Sequence, residues 1–109
     1  MEPAASTAQP GLNAALDRLW ARFLPEMRER ATIIEIAVQS LASGALSAGQ
    51  KEAAASAAHK LAGVLGTFSL QRGTELAREL ELAFTSVPND ALRLGKLASE
   101  LRVVIESRG

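Results

Sequence analysis

Apolar residues recur along most of this chain every three to four positions, which is the period of an α-helix. Proline, glycine and short polar segments divide the pattern into predicted helices. These cover about residues 12–24, 25–43, 47–67, 71–86 and 89–107. No segment shows the alternation of a half-buried strand. The connections between the helices are short, so neighbouring helices should run antiparallel.

Residue types known to begin or end helices set the predicted boundaries. Pro25 disfavours helical geometry in the residue before it, so it should end the first helix and open the second. Gly44 is a plausible stop for the second helix. Ser47 and Gln50 form an S-x-x-Q capping box at the start of the third. Residues 1–10 are rich in Pro, Ala, Ser and Thr without a period, which predicts a flexible tail before a domain at 11–109.

The predicted fold is all-α, an antiparallel up-down four-helix bundle with an additional short N-terminal helix. The four bundle helices start at about residue 25. The helix over about 12–24 should lie across one end of the bundle or along its side. Its aromatic residues Trp20 and Phe23 either close the bundle end, which is the favoured interpretation, or form an apolar patch for a partner.

Composition excludes several classes of function. A length of 109 residues is that of one domain, and the absence of cysteine excludes thiol catalysis and disulfides. A formal net charge of zero, with scattered Lys and Arg, makes a nucleic-acid surface improbable. No apolar run approaches the length of a membrane span, and the N-terminus does not resemble a signal peptide. We therefore expect a cytoplasmic protein that binds neither nucleic acid nor membrane.

His59 is the single histidine of the chain, and the third helix places it among small residues. Positions three, four and seven residues away share its helical face. These neighbours are Ala55, Ser56, Ala62, Gly63 and Gly66. The opposite face carries Ala54, Ala58, Leu61 and Leu65 at the spacing of a core stripe. The helical register therefore predicts an exposed imidazole on a nearly bare strip, rather than a histidine hydrogen-bonded inside the bundle.

Each glycine inside a helix destabilises it by about 0.5–1 kcal/mol relative to alanine, so the presence of Gly63 and Gly66 needs an explanation. One interpretation is that they let a partner approach the backbone beside His59. The other is that Gly66 frays the helix end and Gly63 lets a neighbouring helix pack closely. Spacing alone leaves both interpretations open.

The remaining candidate chemistry is that of a lone imidazole. One histidine without cysteine cannot form a multi-histidine or cysteine metal site, and no nucleotide-binding glycine loop is present. Glu75 and Glu79 are four residues apart, but Arg78 between them favours a solvated face over a metal or acid–base pair. A neutral imidazole is a good nucleophile near pH 7.

The run A-H-K-L-A-G-V-L-G-T-F at residues 58–68 resembles the signature of histidine-containing phosphotransfer (HPt) domains. That signature has a histidine on an exposed helical face, an apolar residue at +2, glycine at +4 and often a small residue at +7. Leu61, Gly63 and Gly66 match these positions, and the resemblance extends over roughly residues 12–106. The family often has lysine at +3, where this chain has Ala62, with Lys60 at +1.

The resemblance implies a phosphorelay intermediate. His59 would accept a phosphoryl group from a receiver-domain aspartyl phosphate and pass it to another receiver domain. The partners would be receiver domains of response regulators and hybrid histidine kinases. These supply the aspartate, Mg²⁺ and a lysine, so the chain needs no cofactor or metal of its own. It would be a carrier and not an enzyme, because it has no ATP-binding motif.

The resemblance and the small face together predict a surface for partner docking. It comprises Ala55, Ser56, Lys60, Ala62, Gly63, Gly66 and Thr67. Lys60 either steers an acidic receiver or is an ordinary solvated lysine. We expect a monomer. A chain that begins with Met and contains little beyond the bundle favours a free-standing shuttle, and a domain cut from a larger hybrid kinase is the alternative left open.

Two rival functions remain at this stage. The first is a helical module that binds receivers or kinases without carrying phosphate. The second is a small hydrolase or phosphatase that uses His59.

Overall fold

The computed structural model describes the backbone of residues 3–108 and the side chains of residues 11–108. The described backbone forms four helices without a strand: α1 (Pro3–Ala42), α2 (Ala48–Thr67), α3 (Gln71–Thr85) and α4 (Ala91–Arg108). Each helix packs against the next, and α4 packs back against α1. The predicted all-α four-helix bundle is therefore confirmed.

The predicted helix break at Pro25 is wrong. Residues 12–24 and 25–43 lie in the single helix α1, so the additional short helix is the N-terminal part of a bundle helix. Proline removes the backbone bond to the carbonyl of Ala21, but both residues are exposed, so water can satisfy that carbonyl. Trp20 and Met27, on either side of the proline, are both buried in the core. Packing along the whole helix thus outweighs the local preference to end it.

Helix α1 begins at Pro3, so the backbone of residues 3–10 is helical where the sequence predicted a flexible tail. Met1 and Glu2 of that predicted tail lie outside the described residues. The division of the chain into a tail and a bundle domain stays a prediction.

The predicted signals at the α1–α2 connection are confirmed. Gly44 has a φ of 73°, a left-handed conformation that glycine adopts without a Cβ penalty, and the amide of Ala45 donates back to the carbonyl of Ser40 at 2.7 Å. The Ser47 hydroxyl accepts from the Gln50 amide, and the Gln50 side chain accepts from the Ser47 amide, both at 3.0 Å.

Contacts between neighbouring helices show the antiparallel register. Along α2 and α3, a Cβ added to Gly73 would lie 3.0 Å from Cδ1 of Leu65. Along α1 and α4, Arg28 pairs with Glu106 at 2.7 Å. A second contact in each pair gives the direction: His59 contacts Glu81 at 2.9 Å, and Glu35 pairs with Arg102 at 2.7 Å. In both pairs the residue number increases along one helix as it decreases along the other. Short connections lead to this arrangement in an up-down bundle.

The bundle end at the α2–α3 turn is closed by aromatic residues. Trp20 is 2% exposed and meets Phe68 edge to face, with ring centroids 5.0 Å apart. The guanidinium of Arg108 lies 5.2 Å from the Trp20 ring centroid and pairs with Asp17 at 3.0 Å. The favoured interpretation of Trp20 is therefore confirmed. Phe23 also packs on Phe68 but is only half-buried.

Candidate functional site

His59 lies past the middle of α2, with its side chain 71% exposed to solvent. The residues of the opposite face are completely buried in the bundle core: Ala54, Ala58, Leu61 and Leu65. This arrangement is the one that the helical register predicted. It rules out the alternative of a histidine held inside the bundle.

Glu81 of α3 is the direct partner of His59. The Nδ1 atom of His59 lies 2.9 Å from Oε2 of Glu81, whose side chain is 30% exposed. A carboxylate has no proton to donate, so Nδ1 carries the hydrogen and donates it. The lone pair of the neutral ring is then on Nε2, which leaves that atom as the nucleophile. The contact therefore selects one tautomer and restricts the rotation of the ring.

Sequence reasoning missed Glu81 as a site residue. The sequence pattern assigned Glu81 no role at the site, whereas the structure pairs it with His59. Glu81 and His59 are 22 positions apart. Their meeting depends on the antiparallel register of α2 and α3, which no local pattern around His59 reveals.

A shallow depression of about 260 Å³ surrounds the imidazole. We call it the histidine depression, and it is lined by His59, Ala62, Gly63, Arg78 and Glu81. Ala62 is 6% exposed, so the position where the family often has lysine is buried in this chain. A Cβ added to Gly63 would meet nothing within 4 Å. Gly63 is therefore not a close-packing residue, and the interpretation that a neighbouring helix requires this glycine is wrong.

A second, larger depression of about 540 Å³ runs between α1 and α2. We call it the α1–α2 groove, and it is lined by Leu19, Phe23, Glu26, Arg30, Lys60, Gly63, Val64 and Thr67. Its apolar side chains are flanked by charged ones. Gly63 lines both depressions, so bare helix backbone connects the imidazole to the groove.

The structure spreads the predicted docking residues over several environments. Five of them are exposed: Ser56, Lys60, Gly63, Gly66 and Thr67. Ala55 is half-buried against the core, and Ala62 is nearly buried. Gly66 lies in a separate depression beside Thr74. Helix α2 ends at Thr67, one residue after Gly66, so Gly66 lies in its last turn as predicted. A docking role for these residues stays a prediction.

Two further features of the described residues bear on the site. Within residues 3–108, no helix combines the length and the apolar character needed to cross a membrane. Among the side chains that the structure describes, no three His, Asp or Glu residues are grouped so that they could hold a metal ion.

Comparison with known proteins places this chain in a family. The model of the Hpt domain family matches residues 18–106, so the chain belongs to the Hpt domain family. Hpt domains are phosphotransfer carriers that act through a histidine and interact with receiver domains in phosphorelays.

The chain is also similar to a much longer protein. It is 36% identical over 76 residues to Protein RcaC of Microchaete diplosiphon. That match covers 70% of this chain but only 12% of the length of Protein RcaC. No solved structure matches the chain at a significant level.

Proposed function

We propose that this Hpt domain accepts a phosphoryl group on Nε2 of His59 from an aspartyl phosphate of one receiver domain and passes it to the aspartate of another. The observation that carries the proposal is the exposed imidazole whose Nδ1 is held by Glu81 at 2.9 Å. This contact leaves the second ring nitrogen free and directed by the rigid helix α2.

The transfer step is a displacement at phosphorus. The lone pair of Nε2 attacks the phosphorus atom, the bond from phosphorus to the aspartyl oxygen breaks, and the aspartate leaves as a carboxylate with the bonding electrons. The ring keeps its proton on Nδ1 and becomes a positively charged phosphoimidazolium. The carboxylate of Glu81 stabilises this charge as it develops, because an ion pair attracts more strongly than a neutral hydrogen bond. Onward transfer is the same step in reverse.

The α1–α2 groove supports receiver docking next to the histidine. Its apolar residues Phe23 and Val64 offer area that a partner can cover, and Lys60 at its edge offers charge for an acidic partner. The receiver would bring the aspartate, the Mg²⁺ and the lysine that neutralise the transferred group, since phosphoryl transfer depends mainly on positioning and charge neutralisation. We propose that this exchange takes place in the cytoplasm and that the chain acts as a monomer.

The test is phosphorylation by a receiver. The protein is mixed with a receiver domain labelled with ³²P on its aspartate, in the presence of Mg²⁺, and the label on each chain is followed with time. The wild type should acquire a label that is labile in acid and stable in base, as expected for phosphohistidine. His59→Gln should acquire none. Its free energy of unfolding should change by no more than about 0.5 kcal/mol, because the side chain is exposed.

The other outcomes distinguish the rival functions. Binding of the receiver without any label on the wild type would overturn the proposal in favour of an interaction module. Release of inorganic phosphate from a small phosphorylated substrate without a receiver, lost in His59→Gln, would overturn it in favour of a hydrolase. A matched control is Gln39→Ala, which changes an exposed residue of α1 and should leave labelling intact.

A further inference from the structure

The histidine depression has an unbalanced charge once the proposed reaction has taken place. A phosphoryl group adds about −1.5 to −2 charges at neutral pH. It would arrive beside the carboxylate of Glu81, which already lies 2.9 Å from the ring. The phosphorylated ring carries one positive charge, which does not balance the carboxylate and the phosphoryl group together, so a further cation beside the phosphoryl group would stabilise the phosphorylated state.

Arg78 is the cationic side chain that lines the histidine depression. It lies on α3 three residues before Glu81, so the two side chains share the helix face turned towards α2. His59 lies opposite Glu81. Because α2 and α3 are antiparallel, the next contact along their interface, about one helical turn away, brings Gly63 opposite Arg78. Gly63 has no side chain and open space where a Cβ would be, so nothing on α2 obstructs the guanidinium there.

Arg78 is also free to bind an anion. The carboxylates near it on α3 each contact another residue: Glu75 pairs with Arg72 at 3.7 Å, Glu79 pairs with Arg93 at 3.0 Å, and Glu81 contacts His59. Among the described side chains, Arg78 makes no ion pair and no hydrogen bond. Six other arginines do pair with carboxylates: Arg28, Arg30, Arg72, Arg93, Arg102 and Arg108. Binding a phosphoryl group would therefore cost Arg78 no existing interaction.

Lys60 is less suitable for this role, although it is adjacent to His59 in the sequence. It lines the α1–α2 groove together with Glu26 and does not line the histidine depression. Ala62 does line the depression, but it carries no charge.

We propose that Arg78 binds the phosphoryl group of phosphorylated His59. Its guanidinium donates to the phosphoryl oxygens and supplies from α3 the positive charge that Ala62 does not supply from α2. This inference rests on the proposed function of His59 as the phosphoryl acceptor. The planar, forked guanidinium can donate two parallel hydrogen bonds to one phosphoryl group, whereas a lysine at the same position acts as a point charge.

The test compares phosphorylated wild type with phosphorylated Arg78→Ala, Arg78→Lys and Lys60→Ala. Phosphoramidate, a small donor that releases ammonia when its phosphoryl group moves to the ring nitrogen, labels each protein without a receiver. The titration of the phosphoryl group is then followed by ³¹P NMR. A nearby cation favours the dianion, so removing Arg78 should move that titration to higher pH by about 0.5–1 unit, allowing for solvent exposure of the site. A purely structural role for Arg78 would leave this titration unchanged.

A second measurement uses the phosphorylated receiver. The equilibrium between phosphoreceiver and phosphohistidine should shift towards the receiver by about three- to tenfold in Arg78→Ala. This factor corresponds to the expected shift of about 0.5–1 unit in the pKa of the phosphoryl group. Arg78→Lys should give an intermediate shift, and Lys60→Ala should titrate like the wild type. Circular dichroism and thermal unfolding should be the same for all four proteins, since both substituted side chains are exposed.

The possible failures are distinguishable. A wild type that accepts no label from the phosphorylated receiver overturns the proposed function. A wild type that is labelled, together with an Arg78→Ala variant whose phosphoryl titration and transfer equilibrium match it, overturns the role of Arg78 alone. A shift in the phosphoryl titration of Lys60→Ala as large as that of Arg78→Ala would also overturn the role of Arg78. Such a shift would assign the stabilising charge to Lys60.

Discussion

The Nδ1 atom of His59 on α2 lies 2.9 Å from Oε2 of Glu81 on α3, and this contact joins the two helices through an exposed histidine. It determines which ring nitrogen is nucleophilic and which direction that nitrogen faces. The neighbours of His59 on α2 that line the histidine depression, Ala62 and Gly63, are small, so the contact with Glu81 is what orients the imidazole.

Replacing Glu81 should separate its orienting effect from its charge. Glu81→Gln keeps an oxygen that can accept from Nδ1 but removes the charge, so transfer should slow modestly. Glu81→Ala removes both and should slow transfer by about tenfold, equivalent to about 1.4 kcal/mol in the barrier. The measurement is the rate of labelling by a phosphorylated receiver, with ¹⁵N NMR of the imidazole to report the tautomer. Glu52→Gln, an exposed carboxylate of α2, is the control, and equal rates in all variants would contradict an active role for Glu81.

A leucine at Gly63 should obstruct docking without disturbing the fold. Gly63 connects the histidine depression to the α1–α2 groove, and a Cβ there meets nothing within 4 Å. Gly63→Leu should therefore slow transfer from a receiver by at least about tenfold, because the added side chain stands where the partner approaches. Labelling by phosphoramidate should change less. Gly11→Leu, at another open glycine, is the control, and an unaltered receiver rate in Gly63→Leu would place docking elsewhere.

Alanine should have opposite effects on stability at Gly63 and Gly73. At Gly63 the methyl group enters open space, so the free energy of unfolding should rise by about 0.5–1 kcal/mol from the better helix propensity. At Gly73 the Cβ would lie 2.9 Å from Cγ1 of Val104 and 3.0 Å from Cδ1 of Leu65. Overpacking there should lower the free energy of unfolding by about 1 kcal/mol. Urea unfolding measures both, and changes of the same sign would contradict the packing.

Replacing Pro25 should stabilise the protein. Pro25→Ala restores an amide that can donate to the carbonyl of Ala21 and removes the ring from the interior of α1, so the free energy of unfolding should rise by about 1–3 kcal/mol. Pro88 in the connection between α3 and α4 is the matched control. Pro88→Ala restores no helical bond and should give no gain. If urea unfolding shows no increase for Pro25→Ala, the continuity of α1 through this residue would be in doubt.

The ion pair between α1 and α4 predicts how stability depends on acid. Hydrogen bonding by Arg28 holds the pKa of the Glu106 carboxyl below its ordinary value of 4.5. A carboxyl whose pKa is depressed on folding stabilises the protein above the ordinary pKa, and this contribution is lost as the pH falls through the lower, folded value. The thermal midpoint of the wild type should therefore exceed that of Arg28→Gln at pH 7, and the difference should shrink as the pH falls below 4.5.

The control for this pH dependence is Lys96→Gln, which removes an exposed cation that makes no ion pair among the described residues. The thermal midpoint of Lys96→Gln should differ from that of the wild type by a similar small amount at every pH. A difference between wild type and Arg28→Gln that stays constant down to pH 3 would show that Glu106 does not carry the effect.

Local patterns were sufficient for much of the fold and for the exposure of His59, the proposed acceptor. The spacing of Leu61 and Leu65 placed the core side of α2, and His59 followed as an exposed residue because helical geometry relates positions only a few residues apart. The helix stop at Gly44 and the Ser47–Gln50 capping box could also be predicted from the sequence, because the hydrogen bonds that they make involve neighbours in the chain.

Only the assembled bundle brought Glu81 and Arg78 into the depression around His59, and Phe23 into the groove beside Gly63. The positions of these residues relative to α2 depend on the register of helices that are distant in the sequence, and a one-turn shift of α3 would have presented different side chains. Pro25 shows that long-range packing can also override a local preference. Its local preference is to end a helix, but the burial of Trp20 and Met27 on either side keeps α1 continuous. The histidine was thus evident from short-range periodicity, and its chemical environment was set by long-range packing.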